Sequence, residues 1–258
     1  MFLRFSVSEQ RVTTPFLSIV IPAHNEEQRL PPSLEKIHAF LSAQSFEPEV
    51  VIVENGSHDL TFEVASQYAA RFPYLRVLRE TCRGKGRAVR TGMLAARGQY
   101  RFICDADLSM PIEQVLRFVP PVLSAPAVAI ASREAPGSAR IGEPTYRHWI
   151  GRVFNSVVRL MALPGLQDTQ CGFKCFRGDV AEQIFPLQTL DGMSFDVEVL
   201  YIARRKGIAI QEVPIDWYFD ADSRVRLLQD SLRMFTDLLT IRRNAAQGRY
   251  DGAPFRPG

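Results

Sequence analysis

The chain has 258 residues, of which 46% are hydrophobic and 23% charged. That excludes a disordered protein and points to one large α/β domain or two small ones. The net charge of +3 is too small to indicate nucleic acid, and no apolar run approaches the roughly 20 residues of a membrane-spanning helix. Residues 1–15 lack an apolar stretch with a small-residue cleavage site and read as a loose arm. Cys82, Cys104, Cys171 and Cys175 match no zinc spacing and are expected to be reduced, in the cytoplasm.

Residues 17–22 read as a first strand, and Ala23, His24, Asn25, Glu26 and Glu27 form a polar loop after it. Leu34, Ile37, His38 and Leu41 follow at helical spacing. A second apolar strand at 50–53 runs into Glu54-Asn55-Gly56-Ser57, and Leu60, Val64, Tyr68 and Phe72 mark one face of the next helix. Residues 75–78 are a third strand. Gly84-Lys85-Gly86 opens a helix through Val89, Met93 and Ala96. The fourth strand, near 100–104, ends in Asp105-Ala106-Asp107, and the fifth is 128–131. Apolar strands alternating with helices predict a mostly parallel sheet with helices on both faces.

The second half is less regular. Residues 132–146 read as a polar loop, 147–162 as a helix, 168–176 as a loop entering a strand and 195–205 as a helix. A final strand falls near 208–215. A long helix from about 225 to 243 carries Leu228, Leu232, Phe235 and Leu239.

Polar clusters at strand carboxyl ends are where open α/β sheets place ligands. If the chain stays extended through Asp105 and Asp107, both carboxylates face one spot and suit Mg²⁺ or Mn²⁺. The plain alternative is a capped turn and a capped helix beginning near Pro111. Gly84-Lys85-Gly86-Arg87 with Arg90 suits a diphosphate, or is a turn into a solvated basic helix. Arg133, Arg140, Arg147, Arg152 and Arg159 make the middle of the chain basic. Of these, Arg133 stands directly after a strand. Asp196 and Glu198 sit at a helix start, where complementing the helix dipole would account for them. Cys171 has no clear histidine partner and reads as a packed residue, and no role is assigned to His24, His38, His58 or His148.

Taken together, Ile21-Pro22-Ala23-His24-Asn25-Glu26, Glu54-Asn55-Gly56-Ser57, Gly84-Lys85-Gly86, Asp105-Ala106-Asp107 and the segment Asp168 to Lys174 resemble the family-2 glycosyltransferases of the GT-A (Rossmann-like) fold. The last segment, with Phe195-Asp196-Val197-Glu198 and the run Ser231 to Leu239, is similar to the dolichyl-phosphate β-glucosyltransferase branch of the polyprenyl-phosphate sugar synthases. The resemblance implies a single domain over 16–250, with a nucleotide-sugar half at about 16–131 and an acceptor half at about 132–250.

It further implies that Pro22, Ala23, Asn25, Glu26, Glu54, Asn55, Gly56, Ser57, Lys85, Gly86, Arg90, Asp105 and Ala106 bind a nucleotide sugar. Glu54 stands where the family usually has Asp, on a longer arm. Asp105 and Asp107 would hold the metal, Arg133 and Arg147 the acceptor phosphate, and Asp105, Asp107, Arg133, Asp168 and Gln170 would serve catalysis.

The implied reaction is inverting transfer of a hexose, glucose from UDP-glucose, to a polyprenyl or dolichyl phosphate. Two alternatives stay open: a GDP-mannose-dependent mannose synthase, and transfer to a sugar hydroxyl with an exposed base such as Asp168 or Asp196. A binding protein without activity is a third. A lipid acceptor implies peripheral attachment to the cytoplasmic face of a membrane. The surfaces expected to make it are the 225–243 helix, flanked by Arg224, Arg226, Arg233, Arg242 and Arg243, and the 147–162 helix with Trp149, Phe154, Val157, Val158 and Met161.

Overall fold

A computed structural model describes residues 14–219 and 227–252. The expected arm lies outside these up to residue 13, as do Arg224 and Arg226. The first half runs β1 (Leu17–Ala23), α1 (Leu30–Ser42), β2 (Pro48–Asn55), α2 (Thr61–Arg71), β3 (Leu75–Glu80), α3 (Lys85–Ala95), β4 (Tyr100–Ile103), a 3-10 segment (Ile112–Phe118) and β5 (Val128–Ser132). The second half runs β6 (Ala139–Ile141), α4 (Thr145–Met161), β7 (Lys174–Arg177), α5 (Gly178–Ile184), α6 (Phe195–Arg205), β8 (Ile210–Pro214), β9 (Asp216–Tyr218) and α7 (Leu227–Ala246).

A seven-stranded sheet has the order β3-β2-β1-β4-β7-β5-β8. All neighbours in it pair in parallel except β7, which is antiparallel to both β4 and β5. Side chains alternate across the strands, so each strand feeds two cores. Leu17, Ile19 and Ile21 of β1 pack with α1, α2 and the 3-10 segment. Val20, Val51 and Ile103 pack with helices α3 to α7 on the other face. Burial on both faces explains why these strands read as continuous apolar runs.

Several expectations change. Leu60 is exposed and stands before α2 rather than on its buried face, because Asp59 accepts the N–H of Thr61 (3.1 Å) and turns the chain at that point. The polar stretch 132–146 contains β6, which pairs in parallel with β9 in a second, two-stranded sheet. That small sheet is fastened to the segment following β4: Tyr218 N–H donates to Ser109 O (2.8 Å), and Gln114 bonds both backbone groups of Asp216. The buried side of α7 is Leu238, Ile241 and Ala245, whereas Phe235 and Leu239 are 45% and 49% exposed. The side chains of Leu228 and Leu232 lie outside the described residues.

Candidate active site

β1 lies between β2 and β4, where the strand order reverses, and open α/β sheets bind ligands beyond the carboxyl ends at such a point. Because β7 runs antiparallel, the loop that precedes it, residues 168–173, comes to the same edge as the loops that follow β1, β2 and β4.

The loop after β1 turns at Asn25, whose φ of 55° is one that asparagine tolerates. Asn25 N–H donates to Ser57 Oγ (3.0 Å), His58 N–H to Asn25 Oδ1 (2.9 Å) and Glu26 N–H to Thr61 Oγ1 (2.8 Å). These bonds lace Pro22, Ala23, Asn25 and Glu26 to the loop holding Glu54, Asn55, Gly56 and Ser57. Glu54 is buried; its carboxylate accepts from Ser57 N–H and from Arg79 Nε (3.2 Å). Asn55 Oδ1 accepts Gly84 N–H (3.0 Å), which ties this cluster to the glycine loop opening α3. Arg79 was not singled out in the sequence, and its place beside Glu54 follows from β2–β3 register.

Lys85, the first residue of α3, puts its ammonium 2.7 Å from Asp105 Oδ1. Burial works against that charge, but Asp105, Asp196 and Asp107 outweigh it and hold Lys85 above its usual range. The carboxylate pair is not presented by an extended chain. β4 ends at Ile103, and Leu108 N–H bonds back to Asp105 O (3.3 Å), closing a turn over Ala106 and Asp107. Asp107 Oδ1 accepts Ser109 N–H (3.0 Å). Loss of solvent and the Asp105 charge push the Asp107 carboxyl up, a repulsion that a cation would relieve. Among the described residues no group of three or more His, Cys, Asp or Glu side chains converges. Two carboxylates with hard oxygens fit Mg²⁺ or Mn²⁺, which take their other ligands from water and phosphate. Arg90, expected at the diphosphate, instead bonds Gln188 O (2.9 Å), and Arg87 pairs with Asp191 (2.6 Å).

Gly172 supports Asp105 from below. A Cβ there would overlap Asp105 Oδ2. Gly172→Ala is therefore expected to displace the carboxylate and cut turnover by about 10²-fold, as small misplacements of a reacting site do. Steady-state kinetics beside a melting curve checks this; unchanged kcat in a folded variant would show that Asp105 need not stay where it is.

Arg133 grips Asp168 with two side-chain bonds (2.6 and 2.9 Å) and its own backbone N–H (3.0 Å). Burial opposes the Asp168 charge, yet Arg133 overcomes it and holds the carboxyl down at about 2. Trp217 of β9, not singled out in the sequence, lies under the Arg133 guanidinium at 5.3 Å and under that of Arg140 at 5.9 Å. Gln170 N–H reaches Asp168 Oδ1 (3.3 Å), which keeps it beside this pair. Arg147 falls on α4, and its side chain lies outside the described residues. Asp196 is buried 2.6 Å from Lys174 Nζ, so it is no simple dipole complement. The signal for Lys174 was a lone cation between Phe173 and Cys175. Glu198 is also buried, accepting from Thr189, Leu190 and Tyr250. Cys171 is packed inside, and burial raises its thiol to about 11, in keeping with a packed residue.

A family profile described as Glycosyl transferase family 2 matches residues 18–185. The chain is 34% identical to a dolichyl-phosphate β-glucosyltransferase of Saccharomyces cerevisiae, covering 91% of this chain and 76% of that protein. It is 32% identical to the Homo sapiens protein of the same name, over 92% and 78%. Among solved structures it resembles mannosyl-3-phosphoglycerate synthase from Rubrobacter xylanophilus, with a TM-score of 0.65, 19% identity and coverage of 94% and 78%. It also resembles glucosyl-3-phosphoglycerate synthase from Mycobacterium tuberculosis in complex with Mn²⁺, UDP-glucose and phosphoglyceric acid, with a TM-score of 0.63, 18% identity and coverage of 88% and 79%.

Proposed function

Because the chain belongs to glycosyl transferase family 2, we propose that it moves a hexose, glucose from UDP-glucose, to a polyprenyl or dolichyl phosphate with inversion at the anomeric carbon. The observation that carries this reading is the turn bearing Asp105 and Asp107 at the sheet's switch point, faced by Lys85 at the glycine-opened start of α3. The β1 and β2 loops form one laced wall for the nucleotide. Asp105 and Asp107 would hold Mg²⁺ or Mn²⁺. The ion, when bound, neutralises charge on the leaving diphosphate. Lys85 adds a second cation to the same end.

What the nearby carboxylates are doing supports a phosphate acceptor. A hydroxyl acceptor needs a base, but Asp168 and Asp196 are both buried and ion-paired. A phosphate acceptor is already an anion and needs none. Its oxygen forms the new bond to the anomeric carbon while the bond to the diphosphate breaks, and the diphosphate leaves with that electron pair. Arg133, backed by Asp168 and Trp217, would orient such a phosphate. The test is to mix labelled UDP-glucose or GDP-mannose with dolichyl and undecaprenyl phosphate and identify the product. A glucosyl lipid from UDP-glucose is expected; transfer from GDP-mannose alone would overturn the donor.

A lipid acceptor has to be met at a bilayer. Among the described residues no helix is long and apolar enough to cross one. Among the described residues, the exposed large apolar side chains of the helices expected there are Tyr146 (61%), Trp149 (63%) and Leu160 (86%) on α4, and Phe235 and Leu239 on α7. These two helices are joined by a bond from Arg242 to Met161 O (3.1 Å), and Arg233 and Arg243 also stand on α7. Salt-sensitive flotation with anionic liposomes is expected. No binding at low salt, together with full activity on a short water-soluble acceptor, would count against the lipid.

A further inference from the structure

Behind the Lys85–Asp105 pair lies a second ion pair that is almost wholly buried. Lys174 sits in the middle of the sheet, opposite Ile103 on one side and Ile130 on the other. Its ammonium lies 2.6 Å from Asp196 Oδ1 and donates to Cys171 O at 2.6 Å. Asp196 is in the first turn of α6, and both side chains are buried. Such a pair is a poor device for stability, since apolar side chains of the same volume commonly do as well in its place. Its contacts lead elsewhere.

On one side, the bond to Cys171 O pins the peptide before Gly172, the residue whose backbone lies against Asp105. On the other, the starts of α3 and α6 touch: a Cβ on Gly86 would overlap Leu190 O and Phe195 Cβ. That contact brings the Asp196 charge within reach of Lys85, which itself pairs with Asp105. Charges therefore alternate from the sheet interior to its edge: Lys174, Asp196, Lys85, Asp105. The buried pair thus connects to both groups facing the donor, to Asp105 through the Cys171–Gly172 backbone and to Lys85 through the Asp196 charge.

We propose that Lys174 and Asp196 are positioning residues, and that their pair holds Lys85 and Asp105 in the arrangement that receives a nucleoside diphosphate with its divalent cation. The inference rests on the donor reading given above. It differs from a packing role in one respect: removing the pair costs donor affinity even where the fold is kept.

The test replaces both charges at once. Lys174→Met/Asp196→Leu is made in the full chain and its melting midpoint measured. UDP and GDP, each with Mn²⁺, are then titrated into wild type and variant by calorimetry, and the acceptor KM is recorded. The expected result is a folded variant whose nucleotide affinity falls by roughly 10- to 100-fold, the loss usual for groups that orient a ligand site from behind, with the acceptor KM little changed. Should that variant fail to fold, Lys174→Gln/Asp196→Asn decides, because it removes both charges without stranding either one inside and leaves two amides able to bond each other; the same loss is expected of it. Wild-type affinity in the folded variant overturns this inference alone. Failure of the wild type to bind either nucleotide overturns the donor reading and this inference with it.

Discussion

Asp105→Asn and Asp107→Asn are each expected to abolish transfer while leaving the protein folded. Both substitutions keep the shape of the turn and remove one negative charge from it. Asp107 Oδ1 can still accept the Ser109 N–H as an amide oxygen. Asp105→Asn weakens the pairing with Lys85, yet Lys85 keeps the fields of Asp196 and Asp107. The Asp105 side chain is partly exposed, so the stability at stake is small, about 1 kcal/mol or less. That corresponds to a midpoint shift of roughly 2–4 °C. The cost to chemistry is of another size. Removing one electrostatic stabiliser from a developing charge slows turnover by about 10²- to 10³-fold, and loss of a cation ligand adds to that. Transfer assays at saturating Mn²⁺ or Mg²⁺, beside circular-dichroism melting, separate the two effects. Near-normal turnover in either variant would sink the assignment of this turn to the donor diphosphate.

The second large effect belongs to Arg133→Ala, and it reaches stability as well as the acceptor. Arg133 makes three bonds to the buried Asp168, and alanine would keep only the one from the backbone N–H. Without the guanidinium that carboxylate is left inside with little to offset it, at a cost of roughly 3–5 kcal/mol, or a midpoint lower by about 6–20 °C. Losing a charge-assisted phosphate contact would add about 1.5–3 kcal/mol to acceptor binding, a factor of roughly 10 to 160. Arg133→Met/Asp168→Leu parts the two: it is expected to recover the stability and still fail on the acceptor. Acid provides an independent check. The Asp168 carboxyl lies at about 2 in the folded chain and near 3.9 unfolded. The folded pKa is the lower, so the pair's contribution is fully present above about pH 4 and is lost as pH falls through about 2. The gap between wild type and Arg133→Ala should close over that window. A double variant that uses polyprenyl phosphate normally would place the acceptor phosphate away from Arg133.

Much of the fold was legible because its first half obeys local rules. Strands buried on both faces show as apolar runs, and those at 17, 50, 75, 100 and 128 stand where the spacing put them. The helix at 195–205 did too, since its apolar positions are regular and its first turn is acidic. Strands of three residues, β6 and β9, have too few positions to show an alternation, and they went unread.

Site residues followed the same division. Asp105, Lys85, Glu54 and Arg133 were recognisable as polar residues at element ends, which is a local property. What each one does was not. Arg133 meets Asp168, 35 residues away, because β7 enters the sheet backwards between β4 and β5 and brings its leading loop to the binding edge. Lys174 meets Asp196 only once α6 is laid across that strand. On α7 the periodicity marked one stripe, Leu228, Leu232, Phe235 and Leu239, but packing against the core took Leu238, Ile241 and Ala245 and left Phe235 and Leu239 outside. The sequence by itself determined the elements and the chemical kinds of residue at their ends. Strand order and helix docking decided which charges neutralise one another, because ion pairing depends on distance in space and local periodicity carries no information about it.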